Sequence, residues 1–209
     1  METRPDSRAP RVTLVLAICA ALGATGFSLG LAGVLSWNEP IPEMQALELP
    51  LPPEGEEEAW KRVEEAYQAL PDVQGQVLRS QRPALNALSG VNLVASGMLL
   101  YGALVARMRR PGGLSSLRTG LVLSQAYAFL ATLVQTWVQL SVLEQQRPVL
   151  MPLLQEEGTV RSVALLAIVA QMGAVAITAA ITLLQLLFYW WVHRWTRRPA
   201  VQEALSPPA

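Results

Sequence analysis

The 209-residue chain holds a single cysteine, a single histidine and a single lysine, and each scarcity closes off a class of chemistry. Cys19 has no second cysteine to pair with, so an internal disulfide is excluded. Its position after Ile18 also disfavours lipoprotein processing, leaving a small apolar residue. His193 stands among Tyr189, Trp190, Trp191, Arg194 and Trp195 with no second ligand or nucleophile beside it, so it reads as an interfacial anchor. HExxH, Walker and CxxC patterns are all missing. Glu156 and Glu157 adjoin each other, but successive helical positions diverge by about 100° and cannot share one acid–base site. No catalytic residue, metal or cofactor is expected.

What the chain has instead is length in its apolar runs. Val12 to Trp37, Leu85 to Ala106, Thr119 to Leu143 and Ser162 to Val192 each reach the roughly 20 residues that carry a helix across a bilayer. None contains Asp, Glu, Lys, Arg or His, which argues against a proton relay or an ion-coupled pump. The expected fold is all-α: an integral membrane protein built as an antiparallel bundle of four transmembrane helices. The first run is longer than the 7 to 15 residues of a signal-peptide core, so it is expected to stay as a helix. The fourth, if fully helical, extends ~46 Å against a ~30 Å hydrocarbon core and must tilt or protrude.

Charge divides the connecting segments. Segments 1–11, 107–118 and 193–209 hold ten arginines against three acids, whereas 38–84 and 144–161 hold six basic residues against thirteen acids. Basic residues flanking membrane crossings are retained in the cytoplasm, so both termini are expected there. Trp37 and Trp137 then fall near the outer surface, with Tyr101 and the Tyr189 to Trp195 group near the inner one. Fifteen arginines to one lysine, with heavy Ala and Leu usage, suggest a GC-rich bacterial genome and thus a bacterial inner membrane. Basic groups that follow the membrane face suit lipid headgroups and not nucleic acid.

Two loops face outward. The larger has a proline-rich part, Glu39 to Pro53, expected to be extended, and a helix near 56–70 that Pro71 should end. Another helical segment follows over Val73 to Arg82. Trp60, Val63, Tyr67 and Leu70 recur at helical spacing and must rest on the bundle, the membrane surface or a partner, which makes them candidate docking residues. The second loop, Glu144 to Arg161, contains Pro148 and Pro152 and is expected to lie at the interface.

Two periodic features lie inside the apolar runs. Gly23, Gly26, Gly30 and Gly33 share one helical face, and Asn86, Gly90 and Gly97 share a face of the second run; such grooves let backbones approach in lipid, within one chain or between two copies. The third run carries Gln125, Thr132, Thr136 and Gln139, widened by Gln135, and the fourth repeats the series as Gln171, Thr178, Thr182 and Gln185. Each set occupies a sector about 60° wide. Amides facing lipid would be unsatisfied, so the stripes should meet, with Gln125 level with Gln185, Thr132 with Thr178, and Gln139 with Gln171. The seam reads either as glue or as a solute path.

The functional expectation is therefore a non-catalytic scaffold or accessory subunit of a membrane complex. Its partners would be the bilayer, other membrane or extracytoplasmic proteins, or further copies of itself. The alternative is a small oligomeric transporter or channel that uses the Gln and Thr seam. A sensor of outside conditions ranks third, since the short cytoplasmic segments offer no output domain.

Overall fold

The computed structural model describes residues 9–39, 57–156 and 158–206. Among them are five helices and no strand: α1 (Ala9–Leu35), α2 (Glu57–Arg107), α3 (Gly113–Gln155), α4 (Thr159–Trp195) and α5 (Pro199–Leu205). The first four are each long and apolar enough to cross a membrane. The proline-rich stretch expected to be extended lies outside the described residues, apart from Glu39.

Prolines do not end helices here as expected. α2 continues through Pro71 and Pro83, and α3 through Pro148 and Pro152. Each proline removes one backbone donor and crowds the carbonyl one turn before it, at about 3 kcal/mol in a helix interior. Packing on both sides of each break outweighs that local penalty. In α2, Val63 and Ala66 are buried before Pro71 and Val77 after it, all on one face. In α3, Val142, Gln146, Leu150 and Leu153 form an equally continuous buried stripe through Pro148 and past Pro152. The segment expected to be a second outer loop is therefore mostly helix. Gly158 lies just before α4 with φ of 76°, a left-handed conformation that glycine adopts freely.

Chain contacts group the described residues into two units. One draws on Met1–Asn38, Asn86–Ala131 and Ile181–Ala209, the other on Glu39–Leu85 and Thr132–Ala180. The first has a core of Val15, Leu16 and Cys19 from α1, Leu99, Ala103 and Ala106 from α2, Leu117 and Leu121 from α3, Tyr189 and Val192 from α4, and Val201 and Leu205 from α5. The second has two clusters. Val63 and Ala66 pack with Leu153, Val160 and Ala164, and Val77 packs with Val138 and Val142.

Within the first unit, α2 ends in a Schellman turn. Arg110 N–H donates to Val105 O at 3.2 Å and Arg109 N–H to Ala106 O at 3.0 Å. Arg109 takes the left-handed position at φ 51°, and Gly112 follows at φ 79°. The tail expected to be a simple cytoplasmic extension forms α5. Pro199 opens it, where a missing N–H costs nothing, and Val201 and Leu205 reach the core.

Candidate functional site

Backbone proximity is the dominant feature of the first unit. A methyl group added at Gly23 would stand 2.6 Å from Leu100 N, and one at Gly30 would stand 2.7 Å from Leu93 N. At Gly26 it would meet Ser96 Oγ, and at Gly33 it would meet Ser89 Oγ at 2.5 Å. Numbering falls along α2 as it rises along α1, so these two segments run in opposite directions. Asn92 Nδ2 donates to Gly26 O at 3.0 Å and Ser96 Oγ donates to Asn92 Oδ1 at 2.9 Å, placing a small polar knot between the two helices. Gly90 and Gly97 face side chains of α1 and its following turn, Trp37 and Phe27 respectively. On α2 the face against the glycines is Ser89, Asn92, Leu93, Ser96 and Leu100.

A second seam of this kind joins α2 to α3, and sequence reasoning missed it. Methyl groups at Gly102, Gly113 and Gly120 would lie 2.5 Å from Leu117 Cα, 2.7 Å from Ala106 N and 2.6 Å from Leu99 Cα. Gly113 and Gly120 are one heptad apart, which was the available signal. Gly113 falls in the segment 107–118 expected to connect two apolar runs, which conceals it.

The expected polar seam is only partly assembled. In the second unit, Gln135, Thr136 and Gln139 of α3, Thr178 of α4, and the apolar Leu78, Leu85, Val138, Ala174 and Val175 line a cleft of about 350 Å³. Gln135 and Gln139 are exposed, and Thr178 Oγ1 donates to its own Ala174 O at 2.9 Å. Gln171 does not meet Gln139: its Nε2 donates to Oε1 of Gln146, a residue 1% exposed in the stretch expected to be loop. Gln171 Oε1 is buried with no partner among the described residues. The pairing shifts because α3 runs on through its prolines to Gln155, which moves the hairpin end. Gln139 then joins Thr178, and Gln146 joins Gln171, one heptad further along each helix. Thr132 is half-buried in the same unit; Gln125, Thr182 and Gln185 fall in the first unit, half-buried and outside the cleft.

The face of Trp60, Val63, Tyr67 and Leu70 is largely covered from within the chain. Val63 is fully buried against α3 and α4 residues, Trp60 is nearly so, and Tyr67 Oη donates to Val163 O at 3.5 Å. It offers no free surface for docking at Trp60 or Val63. The ion pair between Arg62 and Glu156, 3.1 Å long, is exposed and contributes no more than about 1 kcal/mol.

At the far end of α4, Arg118 holds the chain as it leaves the helix. Its Nη2 donates to Thr196 O at 2.6 Å and its Nε to Thr196 Oγ1 at 3.4 Å, while Thr196 itself is fully buried and donates to His193 O at 2.8 Å. A guanidinium on a helix's last carbonyls satisfies orphan acceptors and complements the helix dipole. Arg118→Ala is expected to cost about 1.5–3 kcal/mol, the range for a hydrogen bond to a charged group. Amide hydrogen exchange over 196–206 should then accelerate selectively; unchanged protection there would remove Arg118 from this role.

Among the described residues, no group of three or more His, Cys, Asp or Glu side chains is placed to hold a metal ion. No protein-family model matches the chain, and neither a curated protein nor a solved structure matches it.

Proposed function

We propose that this chain is a four-pass protein of a bacterial inner membrane, an antiparallel bundle with both termini in the cytoplasm, that serves as a non-catalytic accessory subunit or scaffold. Four helices of sufficient length and apolarity support the membrane setting. The division of ten arginines from the acidic segments supports the orientation. The observation that carries the subunit reading is the exposure of Gln135 and Gln139 on a helix apolar enough to cross a membrane. In hydrocarbon an amide has no water to bond, so a lipid-facing position would leave it unsatisfied. A partner helix that offers a hydroxyl or amide resolves this. α4 leaves room for one, since only 6% of its most apolar stretch is buried.

A photocrosslinking amino acid at position 139, activated in native membranes, should join the chain to a membrane-spanning segment of another protein at or next to a polar residue. Adducts confined to lipid overturn the reading.

The cleft of about 350 Å³ favours one second reading, a site for a small neutral polar solute. Under it, vesicles containing the purified protein conduct such solutes, and the pair Gln139→Leu with Gln171→Leu abolishes the flux while the protein stays folded. Wild-type vesicles without flux dismiss it.

A further inference from the structure

Three arginines gather within five positions where α4 ends: Arg194, Arg197 and Arg198. With Trp190, His193 and Pro199 they line a pocket of about 590 Å³, all within the first unit. No acid among the described residues forms an ion pair with Arg194, Arg197 or Arg198. Arg194 stands 5.6 Å from the centre of the Trp190 ring, which braces its guanidinium by a cation–π contact. Arg197 Nη2 lies 3.0 Å from His193 Nε2. A guanidinium only donates, so Nε2 accepts and the neutral ring carries its proton on Nδ1. That Nδ1 is buried and has no hydrogen-bond partner among the described residues.

Planar, permanently charged donors in this density suit phosphate oxygens, which guanidinium groups bind in a forked geometry. What precedes the pocket distinguishes the carrier of the phosphate. Leu183, Leu187 and Trp190 are exposed and follow one another at helical spacing on the stripe that leads to Arg194. A free phosphate has no use for that stripe; an acyl chain does. We infer that this pocket binds the phosphate of an anionic phospholipid, with the head group among Arg194, Arg197 and Arg198 and a tail along Leu187 and Leu183. Basic pockets on the cytoplasmic side of membrane helices act in this way. The inference rests on the membrane setting proposed above.

The full-length protein, purified in mild detergent, is tested by native mass spectrometry with added phosphatidylglycerol, phosphatidylcholine or inorganic phosphate. Phosphatidylglycerol should be retained in preference to phosphatidylcholine. The triple variant Arg194→Gln, Arg197→Gln and Arg198→Gln should weaken its retention on the order of a hundredfold, from three headgroup charges at the surface. A matched control, Arg107→Gln with Arg109→Gln and Arg110→Gln, removes equal charge outside the pocket and should retain the lipid. Thermal melting of both variants checks that each is folded. Equal loss in the control, equal binding of phosphatidylcholine, or binding of inorganic phosphate with no lipid selected overturns the inference. Release of the chain from membranes by carbonate at high pH would instead overturn the membrane setting, a failure distinct from that of the pocket.

Discussion

Gly120→Ala should destabilise the protein by about 2 kcal/mol net, whereas Gly173→Ala, the same chemical change on another helix, should stabilise it. Alanine is preferred to glycine in a helix by roughly 0.5–1 kcal/mol at either position. The surroundings decide the sign. At Gly120 the new methyl would stand 2.6 Å from Leu99 Cα, 2.7 Å from Leu99 N and 2.8 Å from Met98 C, all backbone atoms that no rotamer change can move. The two helices must separate, and overpacking of this kind costs about 3 kcal/mol at the upper end of its usual range. At Gly173 nothing lies within 4 Å of the added carbon, so propensity acts alone. Thermal unfolding in detergent should move the two midpoints in opposite directions. A Gly120→Ala protein as stable as the parent would mean that α2 and α3 do not touch as described.

The second large effect concerns the buried amide pair. Gln171→Leu strips Gln146, which is 1% exposed, of its hydrogen-bond donor, and Gln146→Leu strips the Gln171 amide of its acceptor. Each single change should cost about 1–3 kcal/mol, the penalty for a buried polar group left alone. The double change removes both amides and should return most of that loss, since replacing both partners by apolar groups of similar size is close to neutral. The direct contribution of such a bond in a membrane protein averages only ~0.6 kcal/mol, so non-additivity is the larger signal. A double variant as unstable as the two losses combined would show the residues to be uncoupled.

These pairs also show where the amino-acid string stops being readable. The recurrence of Gly23, Gly26, Gly30 and Gly33 is visible as periodicity, because one helix's face depends on local spacing alone. The residues opposite depend on register, and nothing local reveals that Ser89, Leu93, Ser96 and Leu100 are the neighbours while Gly90 and Gly97 face aromatic side chains. Gln146 was hidden for a related reason. Pro148 and Pro152 mark their surroundings as loop by a local rule, and a buried stripe spanning Val142 to Leu153 overrides it through contacts with distant residues. That one misplaced boundary shifted the α3 to α4 pairing by a heptad. α5 is legible only in hindsight, since its apolar content reduces to a few positions in a polar tail.

The left-handed turn at Arg109 sets two demands on one position against each other. Glycine would hold φ 51° without strain, whereas a side chain there costs roughly 1–2 kcal/mol. Under the proposed orientation, the same residue is one of the four arginines of 107–118 that keep this bend in the cytoplasm. A more heat-resistant relative could thus be made by substituting glycine, but with a weaker topogenic signal at the moment of insertion. Fidelity of sidedness and resistance to melting pull in contrary directions at that corner.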